Sequence, residues 1–238
     1  MGDSTYFPAR EKSMNDTVLK NIPLFADLRD EILEKISDLM QKRIYKRNNM
    51  ILMEEDVGDS LFILNTGSVK ITRLSDDGRE VILSILGEGD FFGEMSIFDG
   101  ESRSANVIAL EDSEVFILKR GDFLDLLEKH PKIAITLLQE MAIRLRRSDQ
   151  QIEGLSLSDA ESRIAMSIIR FAEDLGIIKL GQVVIENLPF QQDIANMAGT
   201  SRETVSRMLK MLEVKGWIQR KGRRLVITNY DVFVKEFG

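Results

Sequence analysis

The chain of 238 residues has no cysteine and one histidine, His130. Without cysteine there are no disulfides, no thiolate nucleophile and no cysteine-held iron–sulfur cluster or zinc ribbon. A lone histidine cannot build a multi-histidine metal centre or a Ser-His-Asp system with a base to spare. No apolar run reaches the roughly 18 residues that a membrane helix needs. Residues 1–15 are polar, with no signal-peptide core, and read as a flexible leader. Gly2 follows Met1, but Tyr6 stands where a myristoylation signal needs Ser or Thr. A cytoplasmic protein that avoids membranes is the default expectation, and neither a bound metal nor a catalytic cofactor is expected.

What is present is ordinary in bulk and uneven in detail. Hydrophobic residues make up 43% and charged residues 30%, ample for a core. The net charge of −7 divides sharply. Residues 1–159 carry 20 Lys+Arg against 30 Asp+Glu, or −10, while residues 160–238 carry 12 against 9, or +3. Within 187–230 the count is 8 against 3. An acidic body with a small basic end points to a polyanion met by the end alone; an ordinary solvated face gives the same tally.

Periodicity divides the chain again. From Asp16 to about Met40, apolar residues Ile32, Leu33, Ile36 and Leu39 recur at helical spacing, punctuated by Pro23. From Ile44 to Leu118 short apolar runs (61–64, 69–71, 81–83, 115–118) alternate with glycines at about ten-residue intervals, and Asp76-Asp77-Gly78 signals a hairpin. This predicts a β-roll of jelly-roll type. Asp122–Glu128 reads as a short helix ended near His130, and Pro131 starts a long one running to about Leu157. Its stripe of Leu138, Met141, Leu145, Ile152 and Leu155 approaches the 3.5 repeat of a coiled-coil seam, interrupted by the polar pair Ser148-Asp149. Such a seam predicts a homodimer; packing onto its own domain is the alternative. Beyond residue 159 come a helix over 162–175, two helical patterns over 190–198 and 201–215 joined at Gly199, and two strand-like runs around Arg220-Lys221-Gly222-Arg223-Arg224. That is a helix-turn-helix with a winged hairpin. The expected fold is α+β, with a β-roll domain over 16–130, a dimerisation helix over 131–158 and a winged helix-turn-helix domain over 159–238. Met40, Met50, Met53, Met141 and Trp217 read as packing residues.

Two segments carry chemistry. In Phe92-Gly93-Glu94-Met95-Ser96 and Ser102-Arg103-Ser104-Ala105, a cation, hydroxyls, a carboxylate and a glycine lie close together. A phosphodiester held in a β-roll needs a buried cation, hydroxyl and amide donors, and a glycine where the backbone must approach. A ribose hydroxyl needs an acceptor such as a carboxylate. By spacing alone the signal is weak, since an Arg and a Glu ten residues apart are usually a surface ion pair. The second segment is Thr200-Ser201-Arg202-Glu203-Thr204-Val205-Ser206-Arg207. N-terminal residues of a recognition helix reach base edges in the major groove, where Arg forks onto guanine and Glu accepts from cytosine. A capped, charged surface helix is the plain alternative.

Together these segments, in the order β-roll, long helix, winged helix-turn-helix, resemble the bacterial regulators of the cyclic-AMP receptor protein (Crp/Fnr) family over roughly residues 20–230. The first resembles that family's phosphate-binding cassette, and Ser-Arg-Glu-Thr-Val-x-Arg resembles its recognition helix. The resemblance implies that Gly93 and Glu94, beside Met95, hold the ribose, that Arg103 and Ser104 hold the cyclic phosphate, and that Arg144 stands near it. Family members contact adenine through a Thr-Ser pair on the long helix; Ser148 keeps the hydroxyl here, and Asp149 departs from the pattern. The carboxylate suits the adenine amino group, or the N1–H and amino group of guanine. The resemblance further implies double-stranded DNA as partner, TGTGA-like half-sites read by Arg202, Glu203 and Arg207, phosphate contacts from Thr200, Ser206 and the basic turn Arg220 to Arg224 including Arg223, and Ser201 among the DNA-binding residues. It implies a cyclic nucleotide, cyclic AMP before others, as allosteric effector, a contact with RNA polymerase, and a hinge near 157–160. A constitutive or differently gated regulator with a vestigial cassette is the runner-up. A cupin-type metalloenzyme lacks its histidines, so no enzyme is expected.

Overall fold

The computed structural model describes residues 19–238. The leader over 1–15 and the first residues of the expected opening helix lie outside the described residues. Of the expected opening helix, Leu19 and Lys20 are helical among the described residues, and the helix is then interrupted. Pro23 lacks the N–H a continuous helix needs, and residues 21–28 make turns, with Ile22 N–H on Leu19 O, Phe25 on Ile22 O and Leu28 on Phe25 O. Helix resumes in α1 (Asp30–Leu39), which buries Leu33 and Ile36.

The β-roll is built from β1 (Gln41–Tyr45), β2 (Met50–Leu52), β3 (Ser60–Thr66), β4 (Val69–Leu74), β5 (Glu80–Leu86), β6 (Phe91–Phe92), β7 (Asn106–Ala109) and β8 (Ser113–Lys119), with the short helix α2 (Met95–Asp99) between β6 and β7. They form two antiparallel sheets in the orders β1-β8-β3-β6 and β2-β7-β4-β5. The uninterrupted apolar runs 61–64 and 115–118 have a physical reason. Side chains alternate across a strand, and both faces of β3 and β8 are covered. Leu61, Ile63, Phe116 and Leu118 point into one core, shared with Phe25, Leu33, Phe123 and Ile133. Phe62, Leu64 and Val115 point into a second, between the sheets, with Val69, Phe92 and Val107. Met40 and Met141 pack as expected, but Met50 and Met53 are exposed, at 45% and 53%. They lie on or just after β2, an edge strand of its sheet, where one face stays open.

After α3 (Arg120–Lys129), His130 ends the helix, its N–H on Leu126 O, and Pro131 opens α4 (Pro131–Leu157). At 1.5 Å per residue its 27 residues extend about 40 Å. Ile133 and Leu137 anchor its first turns in the β-roll core. Leu138, Leu145 and Ile152 remain 67%, 64% and 64% exposed on the other side. The joint to the second domain is two residues long, Ser158 and Asp159, and the Asp159 carboxylate caps the next helix on Ser162 N–H at 2.8 Å.

That domain contains α5 (Ala160–Leu175), the hairpin β9 (Gly176–Lys179) and β10 (Gln182–Ile185), α6 (Gln191–Ala198), α7 (Arg202–Val214), the wing β11 (Ile218–Lys221) and β12 (Arg224–Ile227), and α8 (Tyr230–Phe237). The four strands make one sheet in the order β11-β12-β10-β9. Trp217 packs edge-on against Phe233 and Phe237. The core of this domain does not stop at its boundary. Ile82, Ile85 and Leu110 of the β-roll join Ile164, Ile168, Met197 and Val205 in one cluster. Lys70 adds a polar tie, bonding Glu80 at 2.8 Å and Asp193 of α6 at 2.9 Å.

Candidate nucleotide cassette and nucleic-acid interface

The turn after β6 is fixed by its glycine. Gly93 has φ of +80°, and a Cβ there would lie 2.6 Å from Arg103 Nη1 and 3.2 Å from Ser60 O. Backbone and guanidinium can approach only because no side chain intervenes. Arg103 is 6% exposed. It donates through Nη1 to Gly93 O at 2.6 Å and Ser96 Oγ at 2.8 Å, and through Nη2 to Ser60 O at 2.9 Å. Its guanidinium stands 5.6 Å from the centre of Phe62, which stacks on Phe92. Among the described residues no carboxylate is bonded to it; Asp59, Glu94 and Asp56 act only at longer range, and burial lowers its pKa. Of five N–H donors, three are held by neutral acceptors. The Nε–H and one Nη2–H remain, enough for a fork on an anion.

Glu94, 6% exposed, faces Arg144 of α4, whose Nη1 is 3.3 Å from Glu94 Oε1. Arg144 also donates to Phe91 O at 2.6 Å and lies over the Phe91 ring at 4.4 Å. Ser104 and Met95 are exposed, with the hydroxyl 3.6 Å from the thioether. Ser148 donates to Arg144 O at 3.0 Å, which leaves its oxygen free to accept.

These residues line one cavity of about 550 Å³. It collects Gly93, Glu94, Met95, Arg103, Ser104, Arg144 and Ser148 on its walls. Asp149 is not among the lining residues. At 100° per residue it sits about 140° around α4 from Arg144, on the stripe of Leu138, Leu145 and Ile152. Reading the sequence missed Arg147 and Gln151 on the cavity wall, and Arg170, Glu173 and Asp174 of α5 beyond them. Arg147 and Gln151 follow Arg144 by three and seven residues, a helical signal that was available; the α5 residues depend on how the domains dock.

In the second domain, Gly199 ends α6 with φ of +60° and Thr200 N–H returns to Ala195 O. Arg163 of α5 steadies the turn through Ala198 O at 2.8 Å and Ser158 O at 2.6 Å. Ser201 caps α7 on Thr204 N–H at 3.1 Å. The helix buries Val205, Met208, Leu209 and Leu212. Arg202, Glu203, Ser206 and Arg207 are exposed. Glu203's own N–H and the Ser201 hydroxyl hold its carboxyl below the usual range. Arg207 bonds Thr204 Oγ1 at 3.3 Å. Three wing arginines are tied internally: Arg220 to Glu213 at 2.6 Å, Arg224 to Glu186, and Arg223 to Leu188 O at 3.0 Å and Asn187 O at 3.2 Å. Arg223 also lies over the Phe190 ring, as does Arg47 of the β-roll. Lys221, at the tip, is exposed.

The comparisons with known proteins coincide with these two sites. Residues 42–130 match the cyclic nucleotide-binding domain, and residues 162–234 match the Crp-like helix-turn-helix domain. The cyclic AMP receptor protein of Thermus thermophilus is 35% identical over 201 residues, 84% of this chain and 90% of that one. The chain belongs to the Crp/Fnr family. Crp/Fnr members are also its structural neighbours. FixK2 from Bradyrhizobium japonicum superposes with a TM-score of 0.74 at 24% identity, over 82% of this chain and 96% of that one. The c-di-GMP responsive global regulator CLP of Xanthomonas campestris superposes at 0.69 and 22%, over 84% and 99%. The protein is thus a DNA-binding transcriptional regulator of Crp/Fnr type with a cyclic nucleotide-binding domain. No helix among the described residues is long and apolar enough to cross a membrane.

Proposed function

We propose that the protein is a cytoplasmic homodimeric regulator, not an enzyme, whose affinity for TGTGA-like palindromes is raised by cyclic AMP and which works through RNA polymerase. The observation that carries the reading is Arg103. A guanidinium 6% exposed, with no carboxylate among the described residues bonded to it and two N–H donors to spare, is an anion site already built. Burying a cation costs heavily unless something compensates. Here neutral acceptors hold it, and the missing counter-charge is what a cyclic phosphate brings. Buried Glu94 supplies the acceptor for a ribose hydroxyl, and Ser148 an acceptor or donor for a base. The name of the Thermus relative supports cyclic AMP over other nucleotides.

Dimerisation follows from α4. Leu138, Leu145 and Ile152 form an exposed seam in a single chain, and a second copy is the surface of matching period. Asp149 lies on that seam, so its carboxylate faces the partner helix. Two recognition helices are then placed one turn of DNA apart, about 34 Å. Because the effector favours the DNA-competent arrangement, DNA must tighten the effector by the same factor.

Fluorescence anisotropy on a labelled TGTGA palindrome at fixed salt tests this, with no nucleotide, cyclic AMP, cyclic GMP or cyclic di-GMP. At least tenfold tightening by cyclic AMP alone is expected. Equal affinity in all four conditions would make the protein a ligand-independent regulator with a vestigial cassette.

A further inference from the structure

Charge gathers where the cavity meets the second domain. Arg144 and Arg147 stand one turn apart on one face of α4, yet they serve different domains. Arg144 holds Phe91 and Glu94 of the β-roll. Arg147 reaches the C-terminal turn of α5, with Nη1 2.9 Å from Asp174 and Nη2 3.7 Å from Glu173. In return Arg170 of α5 donates to Arg147 O at 2.7 Å and to Gln151 Oε1 at 3.0 Å. Across from Asp174 stands Asp90, in the β-roll turn over 87–90, where its carboxylate accepts Gly87 N–H at 2.8 Å. The two backbones also meet: a Cβ on Gly87 would come within 2.9 Å of Asp174 O and 3.2 Å of Leu175 Cδ2.

Two carboxylates from different domains therefore share one neighbourhood, with Arg147 as the cation bonded to one of them. Burial pushes the Asp174 carboxyl up to about 6 and raises Asp90 as well, and Arg147 opposes the rise in both. Charges of one sign repel strongly where water is scarce. Without the Arg147 guanidinium in place, the docking of α5 on the turn over 87–90 loses its counter-charge.

We infer that Arg147 is the positioning residue through which the contents of the cavity reach the DNA-binding domain. It lines the same cavity as Arg103 and immediately precedes Ser148. A ligand whose phosphate or base carbonyl draws this guanidinium inward loosens Asp174 and Glu173 and frees the end of α5. The inference rests on the nucleotide-gated reading above, and its test separates the two.

The full chain is compared as wild type, Arg147→Met, Arg147→Lys and Gly87→Ala, the last wedging the same contact apart from the other side. Hydrogen exchange without nucleotide is read at residues 86–90 and 170–176. DNA affinity is measured with and without cyclic AMP, at saturation judged from each variant's own isotherm. Arg147→Met and Gly87→Ala should speed exchange at both segments at least tenfold while β3 and α7 stay protected, and Arg147→Lys should fall between. The ratio of DNA affinities with and without nucleotide should drop below threefold in Arg147→Met. Wild-type exchange at both segments in Arg147→Met overturns the inference whatever the nucleotide does, and so does a wild-type affinity ratio in that variant. If Arg147→Met loses protection in β3 and α7 too, Arg147→Lys and Gly87→Ala decide by the same criteria. If wild type ignores cyclic AMP while Arg147→Met still loosens both segments, the gating reading falls and takes the transmitting role with it.

Discussion

Replacing Arg103 by Met keeps the length and the apolar stem of the side chain and removes its donors. Two effects follow, and they can be separated. The first is on the ligand. Arg103 has two N–H groups free for the phosphate, and charge-assisted hydrogen bonds contribute about 1.5–3 kcal/mol each. Losing both costs about 3–6 kcal/mol, which at about 1.4 kcal/mol per decade is roughly a 10²- to 10⁴-fold weaker Kd. The second is on the empty protein. Gly93 O and Ser60 O each lose a donor, while Ser96 Oγ keeps a second contact to Gly93 O at 3.4 Å. A buried acceptor left alone costs about 1–3 kcal/mol, but burying the cation was itself unfavourable, and its removal offsets part of that. A net loss on the order of 1–3 kcal/mol is expected, a fall in Tm of roughly 2–4 °C per kcal/mol for a chain of this size. Calorimetry with cyclic AMP measures the first effect and a thermal scan the second. Arg103→Lys keeps the charge but not the fork, so it should bind between wild type and Met. A folded Arg103→Met protein that binds cyclic AMP within tenfold of wild type would refute the reasoning and remove the cassette from the function.

Three further outcomes are expected. Arg202→Ala should weaken a cognate half-site by about 1–3 kcal/mol and relax preference at one guanine; an equal loss on every sequence would make Arg202 a phosphate contact. Asp174 has a folded pKa of about 6 against an ordinary 3.8, so the folded protein binds the proton more tightly and stability falls as pH rises from about 4 to 6. At about 1.36 kcal/mol per unit, Asp174→Asn should lose a pH-dependent penalty of the order of 3 kcal/mol; urea midpoints at pH 4.5 and 7.5 that move in parallel for both proteins would contradict this. Leu145→Asp, at a position 64% exposed in the single chain, should leave the isolated fold within about 0.5 kcal/mol yet abolish the dimer in sedimentation. A dimer that survives would place the interface elsewhere than the α4 seam.

Much of the fold was legible because the strongest patterns are local. The runs 61–64 and 115–118, the Asp76-Asp77-Gly78 hairpin, Pro131 at the start of α4 and Gly199 between α6 and α7 all sit where the sequence places them. What was not legible is short or depends on distant partners. β9 has no buried residue, so no alternation marks it. α8 has a single buried residue, Phe233, and is held by the aromatic cluster with Trp217 and Phe237 rather than by a long stripe. At the site, the residues on one short segment and on α4 could be gathered from spacing. Ser148 and Asp149 stand together in the expected site through the resemblance to a Thr-Ser pair, but adjacent residues on a helix diverge by about 100°, so within one chain the cavity wall holds Ser148 and Arg147 while Asp149 lies on the α4 seam. The basic turn of the wing read as a row of phosphate contacts. Within the chain three of its arginines also meet Glu213, Glu186 and the carbonyls of Asn187 and Leu188, partners contributed by other parts of the domain that no local pattern reveals.

The distribution of cations explains why domain placement can govern DNA binding here. Residues 1–159 carry a net −10, so a duplex brought near the β-roll is repelled, and the attraction is confined to one end of the chain. Of the arginines in the acidic part, Arg103, Arg144 and Arg147 point inward at the cavity. On the DNA side, the α7 cations and Lys221 at the wing tip are exposed, while the wing arginines are shared with acceptors inside the domain. Specific contacts therefore fall on the first turns of α7, and their reach depends on how the whole domain is held. Several of the links that hold it involve the β-roll: Arg147 to Asp174, Lys70 to Asp193, and Phe190 beneath both Arg47 and Arg223. The last pairs a β-roll arginine with a wing arginine on one ring. That ring ties the two domains together on the wing side, as Arg147 and Asp174 do at the cavity, so the position of the α7 cations depends on links at both ends of the second domain.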